Sequence, residues 1–419
     1  MKIRTSTLAI AALAASAGGT TVFAAPTTDA DGVRALVAEM IADAESRSSL
    51  LQSGGTAGHD GNFFLSSADG NFTMKMSGQL QTRYTYNFND ENPPIDDTVS
   101  GFNLPRTALR WEGQIFGDFG YAIQGLYNRA GGGFTLEDAY MSTEVGDGMT
   151  LYWGQGRTSF LTEDSLYETK SLAVDQSVVN SVFGQGRSQG IALAGQEEDW
   201  SWEVAFTDGF RSANTDFGAS TADYAITGRV DFKAAGDWSQ FEQFTSARGS
   251  EYAAKIGGAV HFQDGPDTPV SDGVSIFGYT VDAMAEGDGW NAFAMFVGTT
   301  TDDDGTGLDT DDFGWLIQGG VFVDDDWELF GRFEQVFADS DRVNDDDFSA
   351  FTVGANYYIH GQAAKFSIDL SWYLDAPNGN DLVSGADPNS GSGTGSGIGL
   401  LNGIEEDQVA IRAQFQLLF

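Results

Sequence analysis

From Phe72 to Phe419 the sequence alternates apolar and polar residues with a period of two, and no other feature narrows the accessible folds so far. In "FTMKMSGQLQTRYTYNF", Met74, Met76, Leu80, Tyr84, Tyr86 and Phe88 share one side of an extended chain, while Lys75, Ser77, Gln79, Gln81, Arg83 and Asn87 share the other. That is the pattern of a strand with one apolar and one wet face. Comparable segments recur at 104–115, 119–129, 134–145, 149–157, 186–195, 200–208, 222–233, 252–262, 275–285, 290–299, 313–323, 327–337, 348–359, 364–374 and 407–419, which makes sixteen with the first. Their connections alternate in length. "GD" at 117, "GDG" at 146, "QEED" at 196, "EGDG" at 286, "DDD" at 324 and "HGQA" at 360 are short, whereas 89–100, 158–185, 209–221, 263–273, 300–312, 338–347 and 375–406 are long. Strands of about ten residues, even in number, with short turns at one rim and long loops at the other, predict an all-β fold: a 16-stranded antiparallel transmembrane β-barrel. Two connections break the alternation. Residues 234–251 are long where a short turn is due, and "RAGGG" at 129 is short where a long loop is due.

An exported β-sandwich or propeller would also contain many short strands. The aromatic residues argue against it, because Tyr84, Phe88, Trp200, Trp327, Trp372 and Phe415 stand near strand ends on the apolar face, as membrane-interface girdles do. The opposite face carries charge and Gln in nearly every strand, which an aqueous lumen permits. The chain has 61 acidic against 21 basic residues, a formal charge of −40, so nucleic acid and anionic headgroups are excluded as direct partners while cations are not. Absence of cysteine removes disulfides, thiolate metal sites and thiol nucleophiles together. No segment approaches the roughly 18 consecutive apolar residues of a membrane-spanning helix.

The N-terminal region has its own organisation. Lys2 and Arg4, an apolar run from Leu8 to Ala15 and the small-residue site ending at Ala24 predict a signal peptide over 1–24, whose loss of those two bases takes the formal charge from −40 to −42. Within 25–60, Val33, Val37, Met40, Ala44 and Leu51 follow a helical period over 31–51, a short N-terminal periplasmic helix; three such helices could form a coiled coil, or the helix could lie against the barrel. A Gly-rich linker, "SGGTAGHDG", leads into a barrel domain over 61–419.

The segments "GFNLPRTALRWEGQIFGDFGYAIQGLYN", "FTLEDAYM", "LYWGQGRTSF", "LTEDSLYETKSLAVDQSVV" and "GQGRSQGIAL", in that order between residues 101 and 195, resemble the phosphate-selective porin O and P family of outer-membrane porins. The resemblance implies a sixteen-stranded, usually trimeric passive channel with the loop after the fifth strand folded into the lumen. Here that loop is 158–185. The chain departs from the family at Ser159, where Pro is common, and at Pro105, where a second Arg stands beside the counterpart of Arg106. Phosphate-selective members also use Arg ladders and a Lys cluster, whereas removal of Lys2 and Arg4 leaves 19 of the 21 bases here, with no Lys cluster. A phosphate substrate is therefore not implied.

Strand parity places Lys75, Arg83, Arg106, Arg110 and Arg412 together on the inner wall once the last strand meets the first, opposed only by Glu112. This basic arc would line the pore. The constriction loop brings Glu163, Asp164, Glu168 and Asp175 against Lys170, and acids facing a basic wall would create a transverse field. The alternative is that the arginines merely pair with acids and water to satisfy the lumen. Thr300, Asp302, Asp304, Gly305 and Asp311 approach a calcium-loop spacing, but the first ligand is Thr, the last is Asp and no helices flank them, so the expectation is at most loosely bound divalent cations at acidic loops, with no cofactor. Enzyme chemistry would need a nucleophile with a positioned base. With only His59, His261 and His360 available, no triad is expected. The expected partners are ions and small hydrophilic solutes, outer-membrane lipid and two further copies of the chain. A structural or adhesive barrel whose acidic loops bind divalent ions or neighbours is the alternative. In "QVAIRAQFQLLF" the chain supplies the strand that must close the sheet, and its final aromatic resembles the signal read by outer-membrane assembly machinery.

Overall fold

The computed structural model describes residues 55–89, 98–127, 132–146, 148–219, 222–265, 273–303, 305, 307–386, 398–401 and 406–419. The helix expected over 31–51 and the signal peptide lie outside the described residues. The strands are β1 (Gly55–Asp60), β2 (Asn62–Ser67), β3 (Thr73–Phe88), β4 (Thr98–Asn103), β5 (Thr107–Ile115), β6 (Phe119–Tyr127), β7 (Phe134–Gly146), β8 (Met149–Arg157), β9 (Arg187–Gln196) and β10 (Trp200–Thr207). They continue with β11 (Tyr224–Ala235), β12 (Ala253–Asp264), β13 (Val274–Gly287), β14 (Trp290–Asp303), β15 (Leu308–Phe322), β16 (Trp327–Phe337), β17 (Phe348–His360), β18 (Ala364–Tyr373) and β19 (Gln408–Leu418).

Sixteen of these form a closed antiparallel ring that runs from β3 through β5 and onward to β19. β19 returns to β3 in continuous register from Val409 opposite Phe88 to Leu418 opposite Gln79, so the wall has no open edge. β4 prolongs the second wall strand beside β3, separated from β5 by Leu104, Pro105 and Arg106. Pro105 has no N–H to give the ladder, which accounts for the break. The segment read as a linker behaves differently from expectation: from Gly55 it forms β1, which pairs with β2, and β2 in turn pairs with the first residues of β3. Its small and polar residues allow an extended hairpin as readily as a coil.

The barrel is polar inside and apolar outside, the inverse of a water-soluble domain. Phe206, Val230 and Val260 stand outward at 53%, 54% and 53% exposure, while Gln81, Arg83, Asp231, Asn356 and Arg412 point inward and are buried. One sector of the inner wall is an exception. Phe293, Met295, Leu316, Phe330 and Val336 on β14–β16 face inward and are buried.

Connections that fold into the lumen cover that sector; Val383, Ile398 and Leu400 of the one after β18 join its apolar cluster, and two others supply most of the cover among the described residues. Residues 158–185 contain the helices Thr162–Ser165 and Val178–Phe183, the latter capped by Ser177, whose side chain accepts from the Asn180 N–H. Their Leu161, Leu172, Val179 and Phe183 join the inner-wall residues in one apolar cluster. The second is the connection after β11, the one too long for a turn. Asp237 and Gln240 form a reciprocal capping box at a short helix Trp238–Glu242, and Phe241, Phe244, Thr245 and Ser246 are then carried into the barrel and buried. Its length is explained by the space it fills. The other exception, around 129, lies largely outside the described residues.

Candidate functional site

The constriction loop is fastened to the wall along its whole course. Where it leaves β8, the Ser159 N–H donates to Glu203 Oε1 at 3.0 Å and Arg229 donates to the Phe160 carbonyl at 3.1 Å. Thr162 donates to Asp282 at 3.0 Å. Further on, Lys365 donates to the Thr169 and Ser171 carbonyls at 3.4 and 3.1 Å, and Asn356 to the Leu172 carbonyl at 2.9 Å. The Val174 N–H donates to Asp369 at 3.1 Å, and the Val178 N–H to Glu334 at 2.6 Å. Main-chain groups that would be unsatisfied in a buried loop are thereby matched by side chains from the inner wall.

The basic arc and the acidic loop meet in direct contact rather than across a gap. Asp175 takes Arg83 at 3.0 Å and Arg106 at 2.8 Å, and all three side chains are almost fully buried. Arg83 also donates to Gln414 and to the Val174 carbonyl. Glu168 pairs with Arg157 at 2.8 Å and Arg106 at 3.7 Å. Burial alone would raise the Glu168 carboxyl, but Arg157 and Arg106 outweigh it and hold it at about 2. The Asp175 carboxyl is likewise opposed by burial and held well below its ordinary value by Arg106 and Arg83. For Arg83 and Arg106 the arrangement is the pairing alternative, since no water-filled separation remains over which a transverse field could act.

The remaining sequence-derived residues are placed as follows. Arg110 pairs with Glu112 and Asp138, each at 2.8 Å, and reaches the loop through the Tyr167 hydroxyl at 3.1 Å. Arg412 pairs with Asp369 at 2.7 Å and donates to the Ile398 carbonyl at 2.8 Å, so it meets the connection after β18 rather than the constriction loop. Lys75 is exposed beyond these contacts, opposite Glu112 in register. On the loop, Glu163 is buried against Ser177 and Arg332, Asp164 accepts the Gly186 N–H at 2.6 Å, and Lys170 pairs with Glu242 of the second infolded connection at 3.7 Å. The two connections also touch through the Phe244 N–H, which donates to the Lys170 carbonyl at 3.2 Å.

Parity alone did not find Asp138, Tyr140, Arg157, Tyr167 or Arg187. Asp138 accepts from both Arg110 and Arg187, and Tyr140 accepts from Arg110 at 3.0 Å. A register shift between Gln124 and Gly125, opposite β7, obscured the inner face there. The signal for the infolded apolar cluster was present in the sequence as inward-facing Phe293, Met295, Leu316 and Phe330, where a wet lumen calls for polar residues.

Open space remains beside the loop, along the β5–β11 wall. A cavity of about 180 Å³ is lined by Asp138, Tyr140, Tyr152, Arg157, Tyr167 and Glu203 among others. Towards the short-turn rim, Glu203 and Tyr152 also border a second cavity of about 280 Å³, together with Ser159, Arg229 and Asp231. A third, of about 260 Å³, lies against Arg110, Gln124, Tyr167 and Phe419. His261 is enclosed by Thr227, Gln263 and the stacked ring of Phe210. Asp311 accepts from Thr300, Asp302 pairs in register with Asp309, and Asp304 lies outside the described residues. Among the described residues no three His, Cys, Asp or Glu side chains are grouped to hold a metal ion.

Residues 75–375 match the sequence profile of the family described as phosphate-selective porin O and P. No curated protein matches the chain in sequence. Among solved structures, it is similar to the anion-selective porin from Comamonas acidovorans, with a TM-score of 0.57 and 14% identity over 83% of this chain and 99% of that one. It is also similar to the outer membrane channel DcaP of Acinetobacter baumannii, with a TM-score of 0.54 and 12% identity over 82% and 97% of the two chains. A third is the trimer form of OmpT, an outer membrane protein of Vibrio cholerae, with a TM-score of 0.51 and 12% identity over 82% and 98%. At these identities the likeness concerns the fold.

Proposed function

The chain belongs to the phosphate-selective porin O and P family, and from that membership we infer that its barrel passes ions and small hydrophilic solutes passively, around the infolded loop 158–185. It is an outer-membrane porin, a channel rather than an enzyme. The observation that carries the detailed reading is the fastening of the loop: wall side chains hold it across part of a closed barrel while cavities remain along β5–β11. A lumen partly filled and partly open restricts solutes by size and charge without turnover chemistry. No cofactor enters the reading. Divalent cations would associate loosely with the exposed acidic loops. The working unit is a homotrimer, a reading supported by the trimer form of one similar barrel, and residues 1–24 act as the export signal.

The family name does not carry phosphate over as the substrate, because Arg83 and Arg106 are committed to Asp175. In a planar lipid bilayer the purified protein is expected to give stepwise openings, grouped in threes, and liposomes containing it to swell with small sugars but not with large ones. A barrel that inserts and never conducts would instead fit the structural or adhesive alternative.

A further inference from the structure

We propose that the passage beside the constriction loop favours cations over anions, and that Glu203 on β10 sets this preference. The inference rests on the porin reading above and gives it a class of permeant ion.

Fixed charges select ions only where their field is not already cancelled. Every arginine that the wall carries inward among the described residues has a carboxylate within ion-pair distance. Arg83 and Arg106 share Asp175, and Arg110 has Glu112 and Asp138. Arg157 has Glu168, Arg187 has Glu137 and Asp138, and Arg229 has Asp231 and Asp282. Arg332 lies against Glu163 and Glu334, and Arg412 against Asp369. Lys255 is matched by Asp231, while Lys365 is buried beneath the loop carbonyls of Thr169 and Ser171. An anion moving along the cavities therefore meets guanidinium groups whose charge is already neutralised.

Glu203 differs. Its Oε1 accepts the main-chain N–H of Ser159 at 3.0 Å, and although Arg229 stands opposite it in the β10–β11 register, that guanidinium is engaged by Asp231 and Asp282, and no Arg or Lys nitrogen lies within 4.0 Å of Glu203 among the described residues. It stays partly exposed and borders both the 180 Å³ and the 280 Å³ cavities. An ion travelling between them passes this carboxylate. Low-dielectric walls concentrate the field of such a charge in the narrow aqueous space. Acidic residues on the long-loop rim, such as Asp341, act in the same direction, but at a distance and subject to screening.

The test is the reversal potential of the full-length protein in a planar bilayer across a KCl gradient. The native channel is expected to prefer K⁺ to Cl⁻. Glu203→Gln, which keeps an acceptor for the Ser159 N–H, should lower the permeability ratio at least about fivefold, the effect on K⁺ alone of removing one charge roughly 4 Å away in a watery medium. Glu203→Lys should lower it further, and Glu203→Asp should retain the native ratio. At about 1 M salt, where the Debye length is about 3 Å, the rim variant Asp341→Asn should leave the ratio unchanged while Glu203→Gln still lowers it. An anion-preferring native channel, or an unchanged ratio in Glu203→Gln, overturns the proposal and leaves the porin reading standing. A barrel that inserts without conducting overturns both.

Discussion

Asp175 shows how much a single side chain contributes when two buried cations depend on it. Arg83 is fully buried, and Asp175 is its carboxylate partner at 3.0 Å; Arg106 shares the same group at 2.8 Å. Removing one partner of a buried pair costs about 3–5 kcal/mol because a charge is left behind without compensation. Asp175→Asn should therefore loosen the loop, giving a larger single-channel conductance and a lower unfolding temperature in detergent; unchanged values of both would show that the anchor lies elsewhere. The pH response follows from the same pairs. Glu168 is lowered from 4.5 to about 2 and Asp175 is also lowered, so their stabilisation is fully present above the ordinary carboxyl range and is lost as pH falls through the lowered values. The rise in conductance that follows release of these two pairs should accordingly appear only below about pH 5. Alternation in the sequence placed Arg83 and Arg106 on the inner face and marked the acids of the loop, but their pairing joins positions 92 and 69 residues apart. Nothing local specifies that contact.

At the scale of elements, the connection after β11 explains two irregularities together. It is too long for a turn, and β14–β16 carry apolar residues where water was expected; Phe244, against Phe293 with ring centroids 4.9 Å apart, joins the two observations. A buried Phe cut back to Ala typically costs about 3–5 kcal/mol, so Phe244→Ala should free this segment locally. Replacing 238–250 with a short turn should widen the short-turn mouth without altering the strand content. The check is exclusion of neutral polymers of graded size: larger ones should enter the shortened variant, and an unchanged cut-off would mean that 158–185 alone limits passage. The division of the second wall strand into β4 and β5 was less legible, although Pro105 was its signal. The β1–β2 hairpin was not legible at all, since Gly, Ser and Thr residues suit a coil or an extended pair equally well.

For the whole molecule the decisive event is closure. Beyond the β19–β3 ladder, the Gly78 N–H donates to the Phe419 carbonyl at 2.8 Å and the Phe419 N–H to the Gly78 carbonyl at 3.1 Å. A Cβ on Gly78 would lie 2.5 Å from the Phe419 ring, so Gly78 makes the room that this ring occupies. Gly78→Val should displace the ring at a cost of about 1–3 kcal/mol, as overpacking does, and reduce the fraction of compact, fast-migrating protein on unheated gels. Undiminished compaction would show that the seam closes without this contact. The sequence by itself determined the number of wall strands, the wet and apolar faces and the need for a closing strand, because each follows from a period of two and from the cost of unpaired backbone groups in lipid. Only the tertiary structure decided how the lumen is filled, that Arg83 and Arg106 bind the loop instead of facing water, and that Glu203 borders the open space with no Arg or Lys within ion-pair distance among the described residues. Those outcomes depend on distances between inner-wall and loop side chains far apart in the chain, and alternation specifies a face but not the partner across the barrel.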